Sequence, residues 1–152
     1  MRKLWFFTFF ALFATGFMVV ILRMGVDVRH IEVKPAAPKP MTGRLTVNSL
    51  DDMSLYTTYY TKIVLCGVEP RPMVSARDAA TAVQTFQGNT LTCKPVGMGT
   101  PCDGRTAPKF NGAIVVQCFL PDGTDLAAKL VEIGLLCGLP AQAGGTYKAC
   151  AH

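Results

Sequence analysis

The segment CFLPDGTDLAAKLVEIGLL, Cys118 to Leu136, contains a strand end, a tight turn and an amphipathic helix in succession. Its first residues continue an apolar run, which predicts a buried strand over Ala113 to Leu120. Pro121-Asp122-Gly123 is typical of a turn, because proline presets φ and glycine tolerates a positive φ. A helix is then predicted from Asp125 to about Leu136. The residues of its apolar stripe are Leu126, Leu130, Val131, Ile133 and Leu135.

Further short strands and one further helix are predicted before this segment. The helix begins at Ser75 to Asp78, which resembles a capping box, and Gly88 suits its C-terminal cap. The order β-β-β-α-β-β-α predicts an α+β, mainly β domain, most simply a closed five-stranded barrel with packed helices. The predicted strands are Arg44 to Val47, Met53 to Tyr60, Lys62 to Cys66 and Thr90 to Lys94.

Two more motifs, LCGVEP (Leu65 to Pro70) and AGGTY (Ala143 to Tyr147), flank this region in order. With Cys118 to Leu136, they resemble the staphylococcal-nuclease-like (thermonuclease) family over roughly Leu45 to Tyr147. LCGVEP is similar to the family's "LxGIDAPE" strand end, AGGTY to "SGGxY", and the long segment to "DLxxxLVxxGLA". The resemblance implies an OB-fold-like five-stranded barrel with two to three helices.

The chemistry of that family requires a calcium-binding carboxylate cluster, a glutamate that activates water and two arginines that offset phosphate charge. Carried onto this chain, the arginine positions fall at Val64 and Ala113. The glutamate position falls at Pro72, or at Arg71 if the turn is one residue shorter. The position of a metal-site aspartate of the family falls at Glu69, whose carboxylate still offers a metal ligand.

The first-hairpin element of the family falls near Leu50 to Ser54, where Met53 occupies a metal-ligand position and Asp51 and Asp52 are predicted to form a turn. The resemblance therefore implies a domain that keeps the scaffold but has no catalytic residues, no metal and no cofactor. The alternative is that another arginine substitutes from elsewhere in the fold. The candidates are Arg71, Arg77 and Arg105.

The N-terminal stretch Leu4 to Leu22 contains no charged residue. Nineteen helical residues reach about 28 Å, close to the ~30 Å hydrocarbon core of a bilayer. No A-x-A-like cleavage site follows, so we predict a retained anchor rather than a signal peptide. The predicted organisation is a transmembrane anchor over residues 1–23, a Pro-rich spacer over residues 24–42 and the globular domain over residues 43–152.

Small residues share one face of the predicted anchor. Ala11, Ala14 and Thr15 lie at i, i+3 and i+4, which permits close approach of another membrane helix. We therefore expect the anchor to pack within a membrane protein complex. The alternative is that any aromatic-rich helix would serve and that the anchor only tethers the domain.

Six scattered cysteines follow the anchor, without a CxxC pair or zinc-ligand spacing. This pattern predicts disulfides in an oxidising compartment. It indicates a single-pass protein of the inner (cytoplasmic) membrane with a cytoplasmic N-terminus and a periplasmic domain. Buried free thiols in a cytosolic protein are the alternative.

Three disulfide pairs are expected, and the resemblance implies the first. Cys93 and Cys118 lie on the fourth and fifth strands, which are neighbours in the resembled barrel, and are therefore the best pair. Cys137 and Cys150 flank the terminal segment and can tie it to the last helix. The remaining pair is Cys66 with Cys102, unless Cys66 is a buried free thiol.

The net charge of +5 is concentrated before the domain: six Lys/Arg face two acidic residues up to Thr42, and nine face eight from Gly43 onward. The domain therefore lacks the basic footprint of a nucleic-acid binder, and the lipid bilayer is the expected partner of the basic stretch. Tyrosines near the third strand are predicted to serve core and cross-strand packing rather than base stacking. They are Tyr56, Tyr59 and Tyr60.

These features favour a non-catalytic single-pass membrane protein, an accessory or scaffold subunit of a larger integral membrane protein complex. One alternative is a residual calcium-dependent nuclease or oligonucleotide-binding protein at the cell surface. Another is a periplasmic module that senses a ligand or redox state.

Overall fold

The computed structural model of the chain describes residues 37–150, apart from the side chains of Ala76, Ala80 and Val83. The predicted anchor over residues 1–23, including its small-residue face, lies outside the described residues. In the part of the chain that is described, no helix is long and apolar enough to cross a membrane.

Eight strands and three helices make up the described domain. The strands are β1 (Met41–Ser49), β2 (Asp52–Tyr56), β3 (Tyr60–Leu65), β4 (Val68–Pro70), β5 (Thr90–Pro95), β6 (Lys109–Phe110), β7 (Ala113–Phe119) and β8 (Leu136–Gly138). The helices are α1 (Ala76–Gln84), α2 (Leu126–Glu132) and α3 (Pro140–Ala143).

Five of the strands close into a barrel. β1, β2 and β3 form an antiparallel meander, and β5 pairs antiparallel with both β1 and β7. The parallel pairing of β3 with β7, which sets Val64 opposite Val115, closes the ring. The expectation of a five-stranded, OB-like barrel with a few helices is therefore confirmed.

Alternate residues of the strands point into the barrel, as the period of two requires. The interior is formed by aliphatic side chains with almost no exposed surface, and burial of each contributes about 1.5–3 kcal/mol. Leu126 and Leu130 of α2 belong to the same core. The largest fully buried members from the strands are Leu45, Leu55, Ile63, Leu91 and Val116.

Both longer helices begin at a side-chain cap, and the one at Ser75 was predicted. The hydroxyl of Ser75 accepts the backbone N–H of Asp78 at 3.1 Å, and the carboxylate of Asp125 accepts those of Ala127 and Ala128. These side chains satisfy N–H groups that have no partner within the first turn of a helix.

The structure contains three disulfides, Cys66–Cys102, Cys93–Cys118 and Cys137–Cys150, and no free cysteine among residues 37–150. They are the pairs named in the sequence analysis, so Cys66 is not a free thiol in the described domain. Cys93 and Cys118 are direct cross-strand neighbours of β5 and β7.

The Cys66–Cys102 bridge lies in a second, smaller apolar cluster with Val96 and Val115. Val115 and Val116 are consecutive residues of β7 and both are buried, so the two faces of this strand are covered. The bridge therefore joins the long loop between β5 and β6 to the barrel at the second face of β7.

Two sequence predictions about the helix after Asp125, which is α2 in the structure, are wrong: its C-terminal end and one residue of its apolar stripe. α2 ends at Glu132 rather than Leu136, because Gly134 takes a left-handed φ of 82° and breaks the helical ladder. Ile133, assigned to the apolar stripe, is 46% exposed. Leu136 to Gly138 form β8, which pairs antiparallel with β4.

The tyrosine prediction is also wrong in part. Tyr56, Tyr59 and Tyr60 are 45%, 78% and 69% exposed, so none belongs to the core. Tyr56 and Tyr60 do form a cross-strand pair, with ring centroids 4.9 Å apart. The predicted strand over Met53 to Tyr60 is in fact interrupted by the turn that joins β2 to β3.

Candidate functional site

A groove of about 700 Å³ lies along β3 and β4 and is bordered by the β1–β2 turn and the β6–β7 turn. We call it the β3 groove. The residues of its lining that bear on chemistry are Asp51, Asp52, Lys62, Val64, Glu69, Thr106, Phe110 and Ala113.

Most of the positions to which the resemblance assigns nuclease chemistry line the β3 groove. Val64 and Ala113, the two arginine positions, line it from β3 and β7. Glu69 lines it from β4, Asp51 from the turn after β1 and Asp52 from the start of β2. Pro72 lies beyond the end of β4 and is exposed, outside this lining.

The charged groups of the groove are few. The ammonium of Lys62 lies 3.8 Å from a carboxylate oxygen of Asp52, and both side chains are well exposed. The other oxygen of Asp52 accepts the amide of Asn48 at 2.9 Å. Because water screens such a pair, Lys62 supplies little fixed positive charge to a bound phosphate.

No arginine lines the β3 groove within the described residues. Arg71 lines a separate pocket, where its guanidinium lies over Gly134. The guanidinium of Arg105 lies against Gly144, after α3, and Arg77 is exposed on α1. The three candidates for a substitute arginine therefore point elsewhere.

Glu69 lies beside the Cys137–Cys150 disulfide. One of its oxygens is 3.4 Å from Sγ of Cys150, and the three potential ligand atoms of these residues lie within 4.8 Å of one another. The contact is not a hydrogen bond, because a disulfide sulfur carries no proton. Both sulfurs are bonded to each other, so they offer no thiolate to a metal while the bridge is intact.

Among residues 37–150, that group is the one set of three potential ligands close enough to share an ion. Asp51 and Asp52 line the same groove as Glu69 but do not form a carboxylate cluster with it at that distance. Within the described residues, the groove therefore brings no three carboxylates together.

The groove retains features of a binding surface. Phe110 is 59% exposed at its edge, and Val64 is partly exposed on β3 between Ile63 and Leu65, whose side chains are buried in the barrel. The buried hydroxyl oxygen of Thr106 has no partner among the described residues. Pockets with apolar surface and a few polar groups are typical of sites that hold a small ligand.

A partly buried polar cluster supports the C-terminal side of the domain, and sequence reasoning missed it. Oδ2 of Asp125 accepts hydrogen bonds from Nε2 of Gln117 at 2.7 Å and from the hydroxyl of Tyr147 at 2.9 Å. Burial, followed by the negative charge of Asp125, raises the pKa of Tyr147. The AGGTY motif pointed to Tyr147, but no sequence signal connected it to Asp125.

Comparisons with known proteins do not assign the chain to a family. A scan against protein-family models finds no match, and a search of curated proteins finds no similar sequence.

Proposed function

We propose that the chain is a non-catalytic accessory or scaffold subunit of an integral membrane protein complex. In this proposal Leu4 to Leu22 span the inner membrane once and residues 43–152 form a nuclease-like OB domain in the periplasm. The observation that carries the proposal is the composition of the β3 groove. Val64 and Ala113 occupy the positions at which the resembled chemistry needs two arginines.

The expected loss of activity is large. Removal of one transition-state donor reduces the rate by about 10²–10³-fold. Here both cations and the base are replaced, since Pro72 cannot accept a proton. What remains is a barrel with three disulfides and a groove without arginine among the described residues, which supports a binding or scaffold role.

The cysteines support the proposed compartment. Three intact disulfides form and persist in oxidising environments and are rare in the cytosol. A periplasmic domain behind a membrane anchor satisfies this condition.

A nuclease assay tests the absence of catalysis. The full-length chain in mild detergent, incubated with DNA or RNA and calcium, is expected to cleave neither. The matched control is Glu69→Gln, which removes the remaining metal-site carboxylate of the groove. Cleavage by the parent chain that disappears in Glu69→Gln would favour the residual nuclease instead.

Co-purification tests the subunit role. We expect the chain to leave native membranes together with other integral membrane proteins after mild detergent extraction. In a matched variant, an unrelated polyleucine helix replaces Leu4 to Leu22, and the association is expected to weaken because the small face of Ala11, Ala14 and Thr15 is lost. Unchanged co-purification would show that the anchor only tethers the domain.

A further inference from the structure

The outer surface of the β1–β2–β3 meander carries an exposed row of one arginine and two tyrosines. Arg44 pairs with Tyr56 across β1 and β2, and Tyr56 pairs with Tyr60 across β2 and β3. All three are exposed, so they stand side by side on the outward face. Tyr59, in the turn beyond them, is 78% exposed. We call Arg44, Tyr56, Tyr59 and Tyr60 the tyrosine face.

This face is at the end of the barrel where the chain enters from the spacer. A side chain at Gly43, the third residue of β1, would lie 2.7 Å from the carbonyl oxygen of Tyr56. The β2–β3 turn therefore lies against the first residues of β1. The β1–β2 turn and the β3 groove lie toward the other end of β2, about 17 Å away for five strand residues.

Eighteen residues separate Leu22, the end of the predicted anchor, from Met41. A proline-rich spacer of that length reaches about 55 Å when extended, so the tether keeps the barrel near the bilayer without orienting it. Orientation requires a surface on the barrel that prefers the membrane.

From these observations we infer that the tyrosine face docks on the phospholipid headgroups of the membrane to which the chain is tethered. The inference rests on the proposed membrane anchoring and adds the surface that orients the domain. Tyrosine has an apolar ring and a polar hydroxyl, and it is enriched at membrane–water interfaces for that reason. The guanidinium of Arg44 matches the geometry of a lipid phosphate.

The charges near the face favour lipid over nucleic acid. Lys39, two residues before β1, is exposed and adds positive charge at the same end of the chain. The domain as a whole is nearly neutral, and no arginine besides Arg44 belongs to the face. A strand-tracking nucleic-acid site requires a continuous basic groove, whereas a headgroup surface requires only a few cations beside amphipathic rings.

The test places a fluorescent reporter on the face of the full-length chain. Trp5 is the single tryptophan, so Trp5→Phe with Tyr59→Trp makes residue 59 the sole reporter. The matched control is Trp5→Phe with Phe110→Trp, since Phe110 is also exposed but lines the β3 groove. Both proteins are reconstituted in nanodiscs that contain lipid brominated near the headgroup, with or without phosphatidylglycerol.

We expect bromine to quench the reporter at position 59 and to leave the reporter at position 110 unquenched. Arg44→Gln is then added to the first protein. In discs with phosphatidylglycerol, we expect the ratio of docked to undocked domain, read from the quenching at position 59, to fall about five-fold. This is the effect of one cation near an anionic surface. Non-reducing mass spectrometry verifies that each variant retains its three disulfides.

Three results would overturn the inference. The first is an unquenched position 59 in protein that stays with the discs. The second is equal quenching at both positions. The third is a spectral response of position 59 to oligothymidylate but not to brominated lipid, which would assign the face to nucleic acid. Failure of the chain to remain with the discs at all would instead contradict the proposed anchoring.

Discussion

The hydroxyl of Tyr147 donates a 2.9 Å hydrogen bond to Oδ2 of Asp125, and Asp125 is at the same time the N-cap of α2. One carboxylate thus joins the C-terminal segment, the start of the last long helix and, through Gln117, strand β7. Tyr147 is only 5% exposed, so its hydroxyl has little access to water as a substitute partner.

Tyr147→Phe is expected to lower the free energy of unfolding by about 1.5–3 kcal/mol, because a buried hydrogen bond to a charged acceptor is lost. Equilibrium urea unfolding of the purified protein measures the change. Tyr59→Phe is the matched control, since the hydroxyl of Tyr59 is at the surface, and it should leave the midpoint unchanged. Equal effects of the two substitutions would contradict a special role for the Asp125 bond.

The same bond predicts a loss of stability in alkali. Burial and the Asp125 charge raise the pKa of Tyr147 above its ordinary value of 10.0 in the folded protein. The unfolded chain therefore loses this proton first as the pH rises. The stabilisation is fully present below pH 10 and is lost as the pH rises through the folded pKa. Urea midpoints recorded from pH 8 upward should fall less steeply for Tyr147→Phe than for the parent.

The hydrogen bonds of Asp103 are expected to be lost at acid pH. The hydroxyl of Thr100 and the backbone N–H groups of Gly97 and Gly99 donate to its carboxylate and hold its pKa below 3.8. Because the folded pKa is depressed, this support is present above pH 3.8 and is lost as the pH falls through the folded pKa. The amide signals of both glycines should move in that window of an NMR titration.

Asp103→Asn is expected to shift both glycine amide signals already at neutral pH and to remove their movement in acid, because the charged acceptor is gone. Asp51→Asn, in the exposed turn after β1, serves as the control and should leave both signals in place. A parent-like acid transition in Asp103→Asn would assign the titration to another group.

The three disulfides are expected to differ in their resistance to a thiol reductant under native conditions. Cys150 is partly exposed, whereas Cys66, Cys93, Cys102 and Cys118 are at most 1% exposed. Since reduction requires direct attack of a thiolate on a sulfur, Cys137–Cys150 should open first. Alkylation followed by mass spectrometry reads the order. Six free thiols in freshly isolated protein would also refute the oxidising compartment.

Removal of the cross-strand bridge by Cys93→Ala with Cys118→Ala should cost about 2–4 kcal/mol of unfolding free energy, chiefly because the unfolded chain gains freedom. The measurement is again urea unfolding, compared with Cys137→Ala with Cys150→Ala. The bridge between Cys93 and Cys118 closes the longer segment, with a sequence separation of 25 against 13, so its loss should have the larger effect. A larger effect of the terminal bridge would contradict this account.

Local sequence features determined much of the fold. Alternating apolar residues such as Leu45 and Leu55, with the caps Ser75 and Asp125, act within a few residues of chain and were therefore readable without a structure. The resemblance implied that the strands of Cys93 and Cys118 are neighbours, and β5 does pair with β7. Val64 and Ala113 line that groove as neighbours in space although 49 positions separate them in the sequence.

Only the tertiary structure decided which strand residues stay uncovered and which distant segments meet. Tyr56 and Tyr60 have strand-forming side chains in either setting, and their exposure depends on which neighbours cover the meander. The pairing of β4 with β8, and the direction of Arg71 away from the β3 groove, arise from contacts between distant segments. Such contacts depend on how the whole chain packs, because they join segments far apart in the sequence and no local propensity fixes the direction of a long side chain.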